Sequence, residues 1–236
     1  MHDLKHALRM LRSSPVFAAT AVLVLTIGIG ANVAIFSVVN AVILKPVPYE
    51  DPDTLVQLMN GTYGGATSSA GSPARYLLWR EQTDVLEHVA AYGTVGLNFT
   101  SDDTPERVTA ARVSAPYFQT FRVPLEQGRA FTADEDLPGV PGTVVVSHAF
   151  FTNRLGGDAG ALGRVLSLGG AAYSVVGVVA RDFDTHELGD IDVWLPLALD
   201  PNVTDHSEFF EVAARLKPGV SIEQARARIA ATAAVF

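Results

Sequence analysis

At 236 residues the chain has room for a membrane segment and one domain of ordinary size. Its 48% hydrophobic content and formal net charge of −8 are unevenly placed: the apolar excess lies before residue 45, and from Lys45 onward 14 basic residues face 24 acidic ones. That acidic remainder argues against nucleic acid as a partner, and the absence of cysteine excludes disulfides, thiolate metal sites and thiol nucleophiles.

Residues 1–14 carry Lys5, Arg9 and Arg12 against Asp3, with Leu4, Ala7, Leu8 and Leu11 at helical spacing between them. This predicts a cytoplasmic amphipathic segment on the inner membrane face, although the same charges also serve simply as the positive flank of a span. From Ser13 to Leu44 no residue is charged over 32 positions, whereas a spanning helix needs only about 20. As a helix the stretch would reach about 48 Å against a ~30 Å hydrocarbon core, so residues 15–44 are expected to form a transmembrane helix and a projecting stalk. Glu50, Asp51 and Asp53 follow it, and the positive-inside rule then puts the N-terminus in the cytoplasm and the acidic portion across the bilayer. A cleaved signal peptide, with small residues at Ala31 to Ala34 near a possible cut, is the rival reading; the apolar run far exceeds a signal core of about 7–15 residues.

Gly28, Gly30 and Asn32 lie within that run. They lack the preceding strand and third glycine of a dinucleotide fingerprint. Small residues allow close helix approach and an asparagine in lipid needs a partner, so these three are the candidate transmembrane packing residues, with a kink as the alternative.

Pro46, Pro48 and Pro52 end any regular helix and mark the exit from the membrane. A first strand is expected over Thr54 to Met59, a Gly/Ser/Thr-rich loop over Gly61 to Gly71, and a helix from Ser72 and Pro73 to about Tyr92, buried through Leu78, Val85, Leu86 and Val89. Val108 to Val113 reads as a strand, Ala115 to Phe121 as a short helix, Gly128 to Gly142 as a loop, Thr143 to Ser147 as a buried strand and Phe150 to Leu155 as a helix. Gly169 and Gly170 join Arg164–Leu168 and Ala172–Val179 in a hairpin, and Asp192 to Leu197 adds a strand. Phe210, Val212, Ala214 and Leu216 alternate with Glu211, Ala213 and Arg215, which predicts a strand with one buried face. A Ser221/Gln224 capping box then opens a helix with Ile222, Ala225, Ile229, Ala233 and Phe236 on one stripe.

Chemistry-bearing residues are sparse. None of Lys5, Lys45 and Lys217 follows a glycine as a Walker A lysine must, so any ATP-driven motion requires another chain. The run Asp182, Asp184, His186, Glu187, Asp190 and Asp192 misses EF-hand spacing and reads as a solvated acidic loop, as do Asp134, Glu135 and Asp136. Ser147 and His148 adjoin without a nucleophile elbow, Val145 standing where its first glycine belongs. The histidines, among them His2, His6, His88 and His206, show no HExxH spacing. No catalytic, metal or cofactor-binding residue is assigned.

Several separated motifs carry a family resemblance. The opening Asp3 to Arg12 with Ser14-Pro15, Leu25-Thr-Ile-Gly-Ile-Gly-Ala-Asn32, Ala34 to Leu44 and Pro46 to Leu55 are similar to the first membrane helix and exit segment of MacB-like ABC transporter permeases, especially the unpaired acidobacterial type. Gly128-Arg-Ala-Phe-Thr-Ala-Asp-Glu-Asp136, Val144 to Ser147, Gly163-Arg164, Tyr173-Ser-Val-Val-Gly-Val178, Asp192-Val-Trp-Leu-Pro196 and Ala214-Arg-Leu-Lys-Pro-Gly-Val-Ser221 resemble that family's periplasmic core domain.

The resemblance implies an α+β architecture: an N-terminal transmembrane helix, then a periplasmic domain over 52–236, porter-like α/β over 52–125 and 205–236, with an inserted β-rich lobe over 126–204. It also implies a non-catalytic permease subunit of the bacterial inner membrane, single-pass here, coupled to a cytoplasmic ABC ATPase and pairing as a homodimer or with a second permease. Family members continue into three more membrane helices, so a truncated product, a fragment or a divergent single-pass protein is expected. The alternative is a membrane-anchored binding or sensing domain without an ATPase.

Overall fold

The computed structural model describes residues 15–39, 49–61, 67–101, 104–183, 185, 188–207 and 209–232. The amphipathic segment 1–14, positions 40–48, His2, His6, Asp184, His186, Glu187, Ala233 and Phe236, all named in the sequence reading, lie outside the described residues. Two compact units divide the chain, Met1–Val47 and Pro48–Phe236.

The first contains helix α1, Pro15–Val39. It is apolar on every side, so no single face is selected for a core, and its window Pro15–Ser37 has a mean hydropathy of 2.1, long and apolar enough to cross a membrane. Its hydroxyls turn inward along the helix: Thr20 donates to the Val16 carbonyl at 2.9 Å and Thr26 to that of Val22 at 2.7 Å.

In the second unit ten strands form one sheet among the described residues. In chain order they are β1 Leu55–Gln57, β4 Ala70–Gly71, β5 Leu86–Ser101, β6 Thr104–Val113, β7 Leu125–Gly128, β8 Gly142–Val146, β9 Val165–Leu168, β10 Ala171–Val179, β11 Val193–Pro196 and β12 Phe210–Leu216. The pair β2 Asn60–Gly61 and β3 Thr67–Ser68 stands apart. Helices α2 Pro73–Arg80, α3 Tyr117–Thr120, α4 His148–Leu155 and α5 Ile222–Thr232 cover the sheet. The α+β class expected from the sequence is the class observed.

Strand β5 replaces the second half of an expected helix. Ser72 caps α2 by accepting from the Arg75 N–H at 3.4 Å, with Pro73 behind it. The helix stops at Arg80 because Gln82 folds its amide back to donate to the Leu78 carbonyl at 2.9 Å. Val85, Leu86 and Val89 satisfy either period. Gly93 and Gly96, poor in a helix, and ten residue pairs with β6 from Tyr92↔Val113 to Ser101↔Thr104 decide for strand.

One edge of β5 is taken first by β12, over Leu86–Tyr92, and then by β9 at Phe99 and Thr100, while β6 takes the other. Because β6 pairs with β11, β11 with β8, β8 with β10 and β10 with β9, the hydrogen-bonded path β5-β6-β11-β8-β10-β9 returns to its start. This closed ring removes most of its own edges. Alternate residues point inward, Phe99, Val108, Val144, Val146, Leu166, Leu168, Val193 and Leu195 among them, and α4 seals the core with Phe150, Phe151 and Leu155. A second core lies where α2 and α5 cover β12 and the start of β5, around Tyr76, Trp79, Leu86, Phe210, Val212 and Leu216.

Candidate functional site

The two faces of β12 were expected to differ, apolar inside and polar outside. Val212, Ala214 and Leu216 do enter the second core, but Arg215 on the opposite face is only 1% exposed. The face is covered because α3 and the aromatic ring of Phe121 pack there, with Tyr92 and Tyr117 at centroid separations of 5.3 and 4.7 Å from Phe121. A guanidinium held in such surroundings must find acceptors. Arg215 Nε donates to the Thr120 carbonyl at 3.0 Å, and Nη1 donates to the Asp51 carbonyl at 3.0 Å and to Thr54 Oγ1 at 2.6 Å. Nη2 is buried without a hydrogen-bond partner among the described residues. Burial pushes the guanidinium pKa down, with the neighbouring Arg122 charge acting the same way, though an arginine remains charged.

Residues 49–54 are thereby stitched to the domain. Tyr49 is buried, donates its hydroxyl to the Thr185 carbonyl at 3.2 Å and sets its ring edge-on to Phe121 at 5.1 Å. Arg122 pairs with Glu50 at 2.9 Å and with the Asp51 carboxylate. The Asp51 hydrogen bond, with both acidic charges, raises the Arg122 pKa above its ordinary value. Asp51 and Arg122 have φ of 48° and 49°, the left-handed region that side chains avoid. Their strain coincides with the contact between them. Arg215 escaped the sequence reading because alternation assigns it to water; the small Ala213 beside it was the available signal that this face is also covered.

A second cluster ties the ring to α3. Asp136, read in the sequence as part of a solvated loop, accepts from the Ala115 N–H at 2.8 Å and the Ala198 N–H at 2.9 Å, and burial raises its pKa against the lowering effect of those donors. Glu135 accepts both Nη atoms of Arg129 at 2.7 Å and the Thr132 N–H at 2.8 Å, which holds its pKa down to about 2. These acids are structural acceptors because the chain must turn there with its amides away from the sheet. Among the described residues no group of three or more His, Asp and Glu side chains is placed to hold a metal.

Ser147 and His148 do different work from one another. Ser147 Oγ accepts from the Phe150 N–H at 3.1 Å and caps α4. His148 Nε2 accepts from Arg181 Nε at 3.2 Å, which leaves Nδ1 to donate to Glu126 at 2.8 Å. Within α1, Asn32 donates to the Gly28 carbonyl at 2.9 Å, and a methyl group built at Gly28 or Gly30 meets nothing within 4 Å.

A groove of about 560 Å³ opens between α2, α5 and β1. Val56, Leu58, Trp79, Ala225 and Ile229 form much of its wall, and Arg75 and Arg226 are its charged lining residues. Of the described stripe residues on α5, the small Ala225 is buried there, while Ile222 stays half exposed.

The profile of the MacB-like periplasmic core domain matches residues 18–232. A probable export ATP-binding/permease protein MacB from Pseudomonas entomophila strain L48 is 29% identical over 110 residues, 46% of this chain and 16% of that protein. The match thus spans a small part of the relative's length. The periplasmic region of MacB from Actinobacillus actinomycetemcomitans superposes with a TM-score of 0.58 at 14% identity, covering 78% of this chain and 83% of that one. A domain of a putative permease from Porphyromonas gingivalis gives a TM-score of 0.58 at 19% identity, covering 79% and 86%. With the profile spanning the domain and the same fold in both solved structures, the chain belongs to the family of MacB-like periplasmic core domains.

Proposed function

We propose that this chain is a non-catalytic part of an ABC-type permease whose work is mechanical, passing displacement between a cytoplasmic ATPase and the periplasmic domain. The anchor at residues 49–54 carries this reading. It lies just after the apolar stretch, and Arg215 and Arg122 bind it to the strand and helix at the heart of the domain, so a pull on the exit segment acts on β12 rather than on a slack tether. In this reading α1 spans the bacterial inner membrane once, with a cytoplasmic N-terminus and the domain in the periplasm, and Gly28, Gly30 and Asn32 pack on a second copy or a paired permease within the lipid bilayer. The core around Trp79 and Val212 corresponds to the porter-like part, and the closed ring to the inserted lobe, extended by β5 and β6.

The test combines topology with association. A single cysteine at Asn202 is an unambiguous label, because the natural chain has none. Membrane-impermeant maleimide should modify it in intact spheroplasts, and the chain should co-purify with a P-loop ATPase from detergent-solubilised membranes. Labelling only after lysis sinks the topology; labelling without any ATPase leaves the anchored sensor as the reading that survives.

A further inference from the structure

We propose that the groove between α2, α5 and β1 is a binding site for a free amphipathic carboxylate, an aliphatic monocarboxylic acid. This goes beyond force transmission and does not depend on it. The volume of about 560 Å³ falls within the ~300–1,000 Å³ of small-molecule pockets, so it suits one molecule rather than a protein segment. Trp79 and Leu58 are buried at its base, whereas Met59 and Ile222 remain 44% and 50% exposed. An apolar tail entering here removes both from water.

Charge selects the head group. From Lys45 onward acidic residues outnumber basic ones by ten, yet among the described residues this groove is lined by two arginines and by no carboxylate; Glu223, near Arg226, is outside the lining. Arg75 is held in place by donating to Asn60 Oδ1 at 2.8 Å, with its guanidinium 6.0 Å from the Trp79 ring centroid. Arg226 is exposed on α5, one turn from Ile222 and facing the same space. A guanidinium is the side chain suited to two-point recognition of a carboxylate. The tail would lie on Trp79 and Ala225 while the head meets Arg226.

The test uses the full chain in nanodiscs with 8-anilinonaphthalene-1-sulfonate as fluorescent probe and empty nanodiscs as blank. Saturable enhancement above the blank is expected, reversed by decanoate but not by decyltrimethylammonium. Arg226→Glu, an exposed change that spares the fold, should weaken decanoate displacement roughly tenfold, the loss of one charge-assisted contact. Ala225→Leu should abolish probe binding while leaving the melting temperature unchanged or higher, since it fills the groove. No enhancement above the blank, equal competition by the cation, or an Arg226→Glu chain with unaltered displacement overturns the proposal.

Discussion

Arg215 Nη1 donates to the carbonyl oxygen of Asp51 at 3.0 Å, across 164 positions of sequence. The bond joins β12 to the first described turn after the apolar N-terminal stretch. Since Nη1 also reaches Thr54 Oγ1 and Nε reaches the Thr120 carbonyl, one side chain ties two other backbone segments, 51–54 and the end of α3, to β12.

Replacing Arg215 by methionine keeps much of the apolar stem and removes the fork. The Thr120 carbonyl then loses its partner, and a stranded buried polar group costs about 1–3 kcal/mol, whereas the Asp51 carbonyl keeps the Thr54 N–H and hydroxyl as donors. The unpartnered Nη2 offsets part of this, since its own burial is already unfavourable. The expected net loss is about 1–3 kcal/mol, a fall of roughly 3–9 °C in the melting temperature. Arg215→Lys should lose nearly as much, because a lysine presents one point where three acceptors are spread. Thermal melts of the reconstituted chain check both; a lysine variant as stable as the wild type would mean that charge alone matters.

Arg122→Gly separates strain from pairing. A left-handed φ of 49° costs a non-glycine residue roughly 1 kcal/mol, which glycine relieves, whereas exposed ion pairs are worth about 0–1 kcal/mol. The melting temperature should therefore stay within about 2 °C. If the pairing serves the proposed transmission, stimulation of a co-purifying ATPase falls while stability does not. Coincident loss of both would assign Arg122 to folding alone.

Much of the scaffold was legible. The Gly169-Gly170 hairpin, the Ser72 cap, the Ser221/Gln224 capping box, the Val144–Val146 run and the existence of β12 each rest on a local period or turn preference, and these the structure retains. What local pattern could not supply was pairing. The split use of β5, the strand at Leu125–Gly128 and the burial of Arg215 depend on what lies across the sheet. Gly128 and Gly177 illustrate the point: they sit in two motifs far apart in sequence and face one another across β7 and β10. The groove, likewise, arises from what Ala225 fails to fill, which no stripe of apolar residues announces.

That glycine pair predicts a sharp intolerance. A Cβ on Gly128, at φ of 72°, would lie 2.2 Å from the Val176 carbonyl oxygen, and one on Gly177 would lie 2.4 Å from that of Arg129. Both neighbours are backbone and cannot swing aside. Gly177→Ala, in which the residue adds no left-handed strain, should cost about 2 kcal/mol or more by forcing β7 from β10, and Gly128→Ala more, since it adds unfavourable φ. Gly139→Ala is the contrast: its φ is also positive, but a Cβ there meets nothing within 4 Å, so only the backbone cost of roughly 1 kcal/mol applies. Melting temperatures should rank Gly139→Ala above both others; any other ranking removes close approach as the cause.

Acid should act through the neighbours Glu135 and Asp136 in opposite directions. The Arg129 hydrogen bonds hold the Glu135 pKa at about 2, below its ordinary 4.5. Its contribution is therefore complete above pH 4.5 and is lost as pH falls through about 2. Because Arg129 is half exposed, solvent screening leaves this contribution at about 1–2 kcal/mol. Burial instead raises the Asp136 pKa above 3.8, so its ionised form opposes folding at neutral pH and that penalty disappears as pH falls through its folded pKa toward 3.8. The wild-type chain should hold its stability as pH descends toward 4, where the two effects offset, and lose it below that. Glu135→Gln should be less stable than the wild type at pH 7 and indistinguishable from it at pH 2, with the difference closing between pH 4.5 and 2, the window set by the Glu135 shift. Thermal melts across that range read the difference, and a gap that persists at pH 2 would assign the Glu135 effect to packing instead of charge.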